Sequence, residues 1–286
     1  MNGDDEPKIY LLPNLMTAGN LFCGFAAVLR IIEAALLTQQ GLSAVDLYHQ
    51  ALIFILGACV FDLLDGRLAR LGGHESPFGR EFDSLADVVS FGMAPALLVY
   101  QIVLRDFSRT GWLIAFVFLL CGVLRLARFN CYAASKTEKQ CDEFIGFPIP
   151  AAAGLIASLT LFMLWMEEGS KEIGIWKYAL AGLMLFLSFM MFSHVRYPSF
   201  KGLGWRSQRS IPRFLLIIVT LVFSAMFYEW VPALLFVAFL LYGFVRPFIS
   251  KAMRKEIEDD EDDEGDEGDE GDEGDEGDEG ENPPAN

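Results

Sequence analysis

The sequence has few of the residues that build zinc sites and disulfide frameworks. Its 286 residues include three histidines and five cysteines, and no two cysteines have CxxC spacing. The histidines likewise lack metal-ligand spacing. These shortages argue against a zinc-organised or disulfide-stapled fold. The acidic, polar residues 1–7 also lack the basic and apolar regions of a signal peptide.

Basic residues are outnumbered only because of the C-terminal segment. The chain has 38 Asp and Glu against 22 Lys and Arg. Residues 256–281 hold 19 of the acids and no base, so residues 1–255 carry 22 bases, 19 acids and a net charge of +3. The Gly-Asp-Glu repeat contains no proline, which excludes a collagen helix. Its self-repulsion predicts a disordered tail over 256–286, with weak cation or partner binding as the alternative. We expect no nucleic-acid partner.

Long apolar runs, by contrast, are abundant. Hydrophobic residues make up 53% of the chain and the mean hydropathy is +0.36, as is usual for helical membrane proteins. A bilayer crossing needs about 20 residues. We predict an all-α, polytopic transmembrane bundle of about eight spans, forming one integral-membrane domain over 1–255. The predicted spans are 15–37, 50–70, 84–104, 111–131, 148–166, 177–194, 212–228 and 231–249.

The distribution of Lys and Arg predicts the orientation of these spans. With both termini in the cytoplasm, the inside segments hold 17 of these residues and the outside segments hold four. This asymmetry agrees with the positive-inside rule. We therefore predict a multi-pass protein of the cytoplasmic (inner) membrane, with the loop near residues 67–80 on the cytoplasmic side.

Aspartates are concentrated at residues 62–87, in the pattern Asp-x2-Asp-Gly-x2-Ala-Arg-x8-Gly-x3-Asp-x3-Asp. Asp62 and Asp65 are three residues apart, and Asp83 and Asp87 are four apart, so each pair shares one face of a helix. Glycines and a proline between the pairs predict a turn over 71–82. The two spans then run antiparallel, and the carboxylates meet near the cytoplasmic interface.

Four carboxylates close together need a cation to offset their repulsion. Hard divalent cations prefer oxygen ligands, and Mg²⁺ is commonly held by carboxylates together with substrate phosphates. Arg70 lies about 80° round the helix from Asp62 and can reach such a phosphate. Gly66 has no side chain, so a ligand can approach its backbone. The alternative is that the aspartates form interfacial salt bridges with nearby arginines. These are Arg67, Arg70 and Arg80.

This pattern resembles the signature of the CDP-alcohol phosphatidyltransferases, and all eight of its specified positions match. The resemblance implies that Asp62, Asp65 and Asp83 are ligands of Mg²⁺ or Mn²⁺, with two ions bound. It implies that Asp87 is both a ligand and the general base. Gly66, Arg70 and Ser76 would contact the CDP-lipid.

Four further segments resemble the phosphatidylserine synthase branch of that family. They are PNLMTAGNLFCGF (13–25), SFGMAPALL (90–98), RLARFN (125–130) and FIGFPIPAAA (144–153). The resemblance implies a six-helix core plus two helices, CDP-diacylglycerol as donor, L-serine as acceptor and CMP as leaving group. We also expect contact with membrane lipids and a homodimer.

The zwitterionic acceptor needs a cation for its carboxylate. We predict that Arg128 supplies it, with Asn130 hydrogen-bonding nearby and Arg125 as the alternative. All three are also explained by positive-inside marking. Pro13 and Asn14 either lie near the nucleotide or mark a helix N-terminus.

The sequence leaves three alternatives to this function. Relatives use other alcohols, such as glycerol 3-phosphate or inositol phosphate. Membrane prenyltransferases also hold Mg²⁺ on aspartate-rich helices, although their two motifs lie far apart in sequence. A cation transporter would place its acids near the bilayer midplane.

Overall fold

The helices of the computed structural model follow the apolar runs of the sequence. The structure describes residues 11–71, 76–134, 143–168, 174, 176–193, 196–198, 226–227 and 230–245. The helices within these residues are α1 (Leu11–Gln39), α2 (Val45–Leu71), α3 (Pro77–Asp87), α4 (Ala94–Ile102), α5 (Arg109–Ala134), α6 (Ile149–Glu168), α7 (Trp176–Phe192) and α8 (Val231–Val245). A π-helical segment, Val88–Met93, joins α3 to α4, and a short 3₁₀ helix, Leu104–Phe107, precedes α5.

Five helical segments are long and apolar enough to cross a membrane. They are Leu11–Gln39, Val45–Gly66, Pro77–Ile102, Arg109–Cys131 and Ile149–Met166. Large apolar side chains such as Phe22, Phe25, Leu29 and Ile32 are exposed along α1, as expected of a surface that faces lipid. The prediction of an all-α membrane bundle is confirmed.

The strands in the described residues form a single short antiparallel ladder. Glu143–Ile145 (β1) pairs with Arg196–Pro198 (β2). Seven of the eight predicted spans coincide with helices, two of which are shorter than a full crossing. The predicted span at 212–228 lies outside the described residues except for 226–227, as do the predicted tail and the boundary at 255. The count of eight stays a prediction.

The third span begins earlier than the sequence suggested. We predicted a turn over 71–82 and a span from 84, but α2 continues to Leu71 and α3 begins at Pro77. The Ser76 hydroxyl accepts a hydrogen bond from the Gly79 N–H at 3.0 Å, and Pro77 occupies the first turn. Serine at the N-cap and proline at N1 are start signals for a helix. Pro77 and Gly79 therefore belong to the first turn of the helix rather than to the connecting turn.

The π-helical segment has a local cause in Pro95. Proline has no N–H, and its ring clashes with the carbonyl of the residue four positions earlier. Directly before Pro95, the Ala94 N–H bonds to the Val89 carbonyl, five residues back. The chain thus crosses the proline by widening one turn, and π-helical turns of this kind are frequent at functional sites. Asp87 is the last residue before the segment.

The π-helical segment packs directly against α1. A Cβ built on Gly24 would lie 2.2 Å from the Ser90 Oγ and 2.7 Å from its Cα, so this approach requires glycine. The Ser90 hydroxyl donates to the Asn20 carbonyl at 3.0 Å. Buried apolar residues of α4 and α6, including Leu98, Leu155 and Ile156, form the core behind this contact. The result is a fixed geometry between α1 and the end of α3.

Candidate active site

Three of the four aspartates converge between α2 and α3. One carboxylate oxygen each from Asp62, Asp83 and Asp87 lies within 4.8 Å of the other two. Asp87 is only 5% exposed, whereas Asp62 and Asp83 are half-buried. The spacings of three and four residues put each pair on one helix face, and the antiparallel arrangement of the helices turns these faces toward each other. We call this group the aspartate triad.

Asp65 lies beside the triad and has its own partner. It is 6% exposed, and its Oδ2 accepts a hydrogen bond of 3.1 Å from the Thr17 hydroxyl of α1. The same hydroxyl lies 3.2 Å from the Pro13 carbonyl. Thr17 therefore holds the Asp65 carboxylate against α1.

Asn20, one turn further along α1, has the same relation to Asp87. Its Nδ2 donates to Asp87 Oδ1 at 3.1 Å, and Asn20 is fully buried. The backbone of Asn20 is in turn fixed by Ser90. Asn14, one turn before Thr17, lies against the first turn of α3, since its Oδ1 is 3.3 Å from a Cβ built on Gly79. The side chains of Asn14, Thr17 and Asn20 thus line one face of α1 toward the site.

The triad has a donor set that suits a divalent cation. All its ligand atoms are carboxylate oxygens, as Mg²⁺ and Mn²⁺ prefer. Asp83 Oδ1 is buried and has no hydrogen-bond partner, which is costly for a carboxylate without a cation. Two oxygens on opposite sides of a Mg²⁺ ion are about 4 Å apart, so the observed separations need little adjustment. The residues fit a divalent cation.

The salt-bridge alternative finds no support in the residues that can be described. The ion pairs there are Arg30–Glu33 and Lys177–Asp106, both away from the triad. Arg80 pairs with none of the four aspartates. The side chains of Arg67 and Arg70 lie outside the described residues, so the predicted phosphate contact of Arg70 stays a prediction.

Gly66 leaves room for a ligand, and Ser76 keeps a proton that it can donate to one. A Cβ built on Gly66 would meet no atom within 4 Å, so the protein itself does not require glycine there. Ser76 is buried, and its oxygen accepts from the Gly79 N–H. A hydroxyl that accepts in this way still has its own proton to donate. Both residues stay predicted contacts of the CDP-lipid.

Arg128 and Asn130, the predicted acceptor contacts, form hydrogen bonds with residues of other helices. Arg128 Nη1 donates to the Phe192 carbonyl at the end of α7 at 3.2 Å, and its guanidinium lies 5.5 Å from the centre of the Phe192 ring. Asn130 Nδ2 donates to Ser84 Oγ at 3.0 Å and to Glu81 Oε2 at 3.2 Å. These contacts join α5 to α7 and to α3.

Arg125, the predicted alternative, faces the aspartates from α5. It is 7% exposed and close enough to Asp87 and Asp62 to interact with them electrostatically. Its Nε is buried without a hydrogen-bond partner. Among the side chains that the structure describes, the site therefore combines a group of carboxylates with the buried guanidinium of Arg125.

Comparison with known proteins shows which family this chain belongs to. A model of the CDP-alcohol phosphatidyltransferase family matches residues 10–193. The chain belongs to this family. It is 35% identical to a CDP-diacylglycerol–serine O-phosphatidyltransferase of Helicobacter pylori over 83% of this chain and 91% of the relative. It is 34% identical to an archaetidylserine synthase of Methanothermobacter thermautotrophicus (71% and 76%) and 31% identical to a CDP-diacylglycerol–serine O-phosphatidyltransferase of Bacillus subtilis (66% and 91%).

Membership of the CDP-alcohol phosphatidyltransferase family replaces the prenyltransferase and transporter alternatives. All four aspartates lie within the matched residues, as do Thr17 and Asn20. Sequence reasoning did not assign these two residues of α1 a role, although Asn14, Thr17 and Asn20 follow one another at intervals of three residues, which is the periodicity of one helix face. That spacing is the signal by which they could have been found.

Replacing Asn20 of this phosphatidyltransferase with alanine should lower turnover through Asp87. A hydrogen bond to a charged group contributes about 1.5–3 kcal/mol, so we expect kcat to fall roughly 10- to 100-fold with little change in the KM of the CDP-lipid. Ser188→Ala, which removes a buried hydroxyl of α7 that bonds to the Met184 carbonyl, is the matched control. An unchanged kcat in Asn20→Ala, or an equal loss in the control, would contradict this role.

Proposed function

We propose that this protein transfers the phosphatidyl group of CDP-diacylglycerol to the hydroxyl of L-serine, giving phosphatidylserine and CMP. Similarity to the serine O-phosphatidyltransferase of Helicobacter pylori over 91% of that relative's length carries the choice of acceptor. Similarity to an archaetidylserine synthase supports the same acceptor class. Transfer to glycerol 3-phosphate or inositol phosphate remains the alternative.

The proposed reaction is a substitution at the phosphorus that is linked to the lipid. The serine oxygen forms a new bond to this phosphorus, and the bond from phosphorus to the CMP oxygen breaks. The hydroxyl proton passes to Asp87, because a serine hydroxyl is a weak nucleophile at neutral pH and needs a positioned base. The hydrogen bond from Asn20 fixes the orientation of that carboxylate. Positioning of this kind can supply a large part of the rate enhancement.

We propose that Asp62, Asp65, Asp83 and Asp87 hold Mg²⁺ or Mn²⁺, with two ions in the loaded enzyme. The oxygen-only donor set and the unpartnered Asp83 Oδ1 support this choice. When bound, such ions neutralise the pyrophosphate and stabilise the negative charge that develops on CMP. The contacts of Gly66, Arg70 and Ser76 with the CDP-lipid belong to the same proposal. The residues that we propose to contact the acceptor are Arg125, Arg128 and Asn130.

The membrane arrangement is part of the proposal. Contacts of Thr17, Asn20 and Asn130 bring the N-terminal ends of α1 and α3 and the C-terminal ends of α2 and α5 to one side of the bundle. The excess of Lys and Arg in the predicted inside segments supports a cytoplasmic location for that side. We propose the cytoplasmic membrane as the location, with both termini in the cytoplasm. The homodimer stays a prediction.

A CMP-release assay with purified protein tests the acceptor. With CDP-diacylglycerol and divalent cation present, we expect L-serine to support release at least about 100-fold faster than glycerol 3-phosphate, inositol phosphate or inositol, since a polar site discriminates strongly against acceptors that leave its groups unpaired. Identification of phosphatidylserine as the lipid product completes the test. Faster release with glycerol 3-phosphate, inositol phosphate or inositol than with serine would assign the protein to another branch.

A further inference from the structure

Arg125 is a buried cation that has at least one N–H donor without a hydrogen-bond partner. Its side chain is 7% exposed, and its Nε lies in the interior without a hydrogen-bond partner. A guanidinium carries five N–H donors in a planar fork that suits an oxyanion. Within the described residues, it forms no ion pair with an acidic side chain. Burial of such a group is costly unless an anion completes its environment.

The aspartates next to Arg125 do not fill this role directly. Arg125 interacts electrostatically with Asp87 and Asp62, but none of its nitrogens lies within 4.0 Å of a carboxylate oxygen of either residue, the distance at which an ion pair forms. Cations at the triad would also offset the charge of these carboxylates. The guanidinium is then left facing the site with its charge available to a further anion.

The two residues predicted to hold the acceptor serve other contacts. The guanidinium of Arg128 bonds to the carbonyl of Phe192 and covers its ring, as basic residues near helix C-termini often do. Asn130 bonds to Ser84 and Glu81. Arg125 lies one turn earlier on α5, and it interacts electrostatically with Asp87.

We propose that Arg125 binds the carboxylate of the acceptor serine and selects for an acceptor that carries it. The inference rests on the proposed function. The serine hydroxyl must reach Asp87 to lose its proton, and in so small a molecule the carboxylate lies close to the hydroxyl. A cation that interacts with Asp87 is thus in the region that this carboxylate can reach. The CDP-lipid offers a second oxyanion, its phosphate, which the experiment must distinguish from the carboxylate.

The test compares two acceptors that differ in the carboxylate. In 2-amino-1,3-propanediol a hydroxymethyl group replaces the carboxylate of serine. We expect Arg125→Gln to lower the ratio of kcat/KM for L-serine to that for 2-amino-1,3-propanediol by roughly 10- to 100-fold. The KM of CDP-diacylglycerol should change little. Stabilisation of the protein against heat by L-serine, measured with CMP and divalent cation present, should be lost in the same variant.

The matched control is Arg109→Gln, at the opposite end of α5, where the arginine is exposed. It should leave the acceptor ratio unchanged. Arg125→Lys keeps the positive charge but lacks the planar set of guanidinium donors, so it should retain part of the preference for L-serine. Retention of that preference would show that the loss in Arg125→Gln does not come from misfolding.

Three results would overturn the proposal. An unchanged acceptor ratio in Arg125→Gln would remove the contact. An increase in the KM of CDP-diacylglycerol with an unchanged ratio would assign Arg125 to the phosphate. A ratio that falls in Arg128→Gln but not in Arg125→Gln would assign the carboxylate to Arg128. The wild-type protein is assayed first, because a lack of serine-dependent CMP release there would overturn the proposed function itself.

Discussion

Replacing Asp87 with asparagine is expected to lower CMP release by about 100- to 10,000-fold, the range that a general base contributes. Asparagine has nearly the same shape but cannot accept the proton of the serine hydroxyl. Asp87 is buried and held by Asn20, so the substituted side chain should stay in place. The proposed CDP-lipid contacts at Gly66, Arg70 and Ser76 are untouched. Binding of CDP-diacylglycerol should therefore persist while turnover is lost.

Asp106→Asn is the matched control for this experiment. Asp106 is exposed and pairs with Lys177 at 2.9 Å, outside the triad. Its replacement should leave CMP release within about twofold of wild type, since exposed ion pairs contribute little. If Asp87→Asn retained wild-type turnover, Asp87 could not be the base. Measurement of Mn²⁺ binding to Asp87→Asn by paramagnetic resonance separates the loss of a base from the loss of a ligand.

The sequence was sufficient to predict the features that depend on local periodicity. Apolar runs of about 20 residues predicted the helices, and the described helices follow seven of these runs. The spacing within Asp62–Asp65 and Asp83–Asp87 predicted that the carboxylates of each pair would share a helix face. Antiparallel packing then required only a short connection between the two spans. None of these steps needed knowledge of distant contacts.

The features that the sequence did not predict depend on packing between distant segments. Asn20 and Asp87 are 67 residues apart, and Thr17 and Asp65 are 48 apart. The contact between Asn20 and Asp87 depends on how closely α1 approaches the π-helical segment, and that approach requires Gly24. Pro95 could have been read as the cause of a helix irregularity. Its consequence for Asn20 and Asp87 appears only in three dimensions.

The choice between Arg125 and Arg128 shows the same limit at shorter range. Both lie in RLARFN near the end of α5, and residues three apart on a helix are close neighbours. Which of them faces the aspartates depends on the rotation of α5 about its axis. That rotation depends on packing against neighbouring helices, as at Gly122, where a built Cβ would lie 2.6 Å from Ile149 Cδ1. Positive-inside counting treats the two arginines alike.

Removal of divalent cations is expected to abolish CMP release, and Mg²⁺ or Mn²⁺ should restore it. The three oxygens of the triad lie within 4.8 Å of one another in a largely buried site. Two like charges 4 Å apart repel by about 4 kcal/mol at an effective dielectric constant of 20. A bound cation converts this repulsion into attraction. A cation at 100 times its Kd should also stabilise the fold by about 2.7 kcal/mol.

In Asp83→Asn, we expect the thermal stability relative to the wild type to change in opposite directions without and with the cation. Without cation, the loss of one buried negative charge should raise the melting temperature above that of the wild type. With cation, the stabilisation should shrink or disappear and CMP release should fall by at least about 100-fold. Asp106→Asn should keep the full cation-dependent shift, because its carboxylate bonds to Lys177 rather than to the triad. Full activity in excess chelator, or an undiminished cation-dependent shift in Asp83→Asn, would contradict a cation site at the triad.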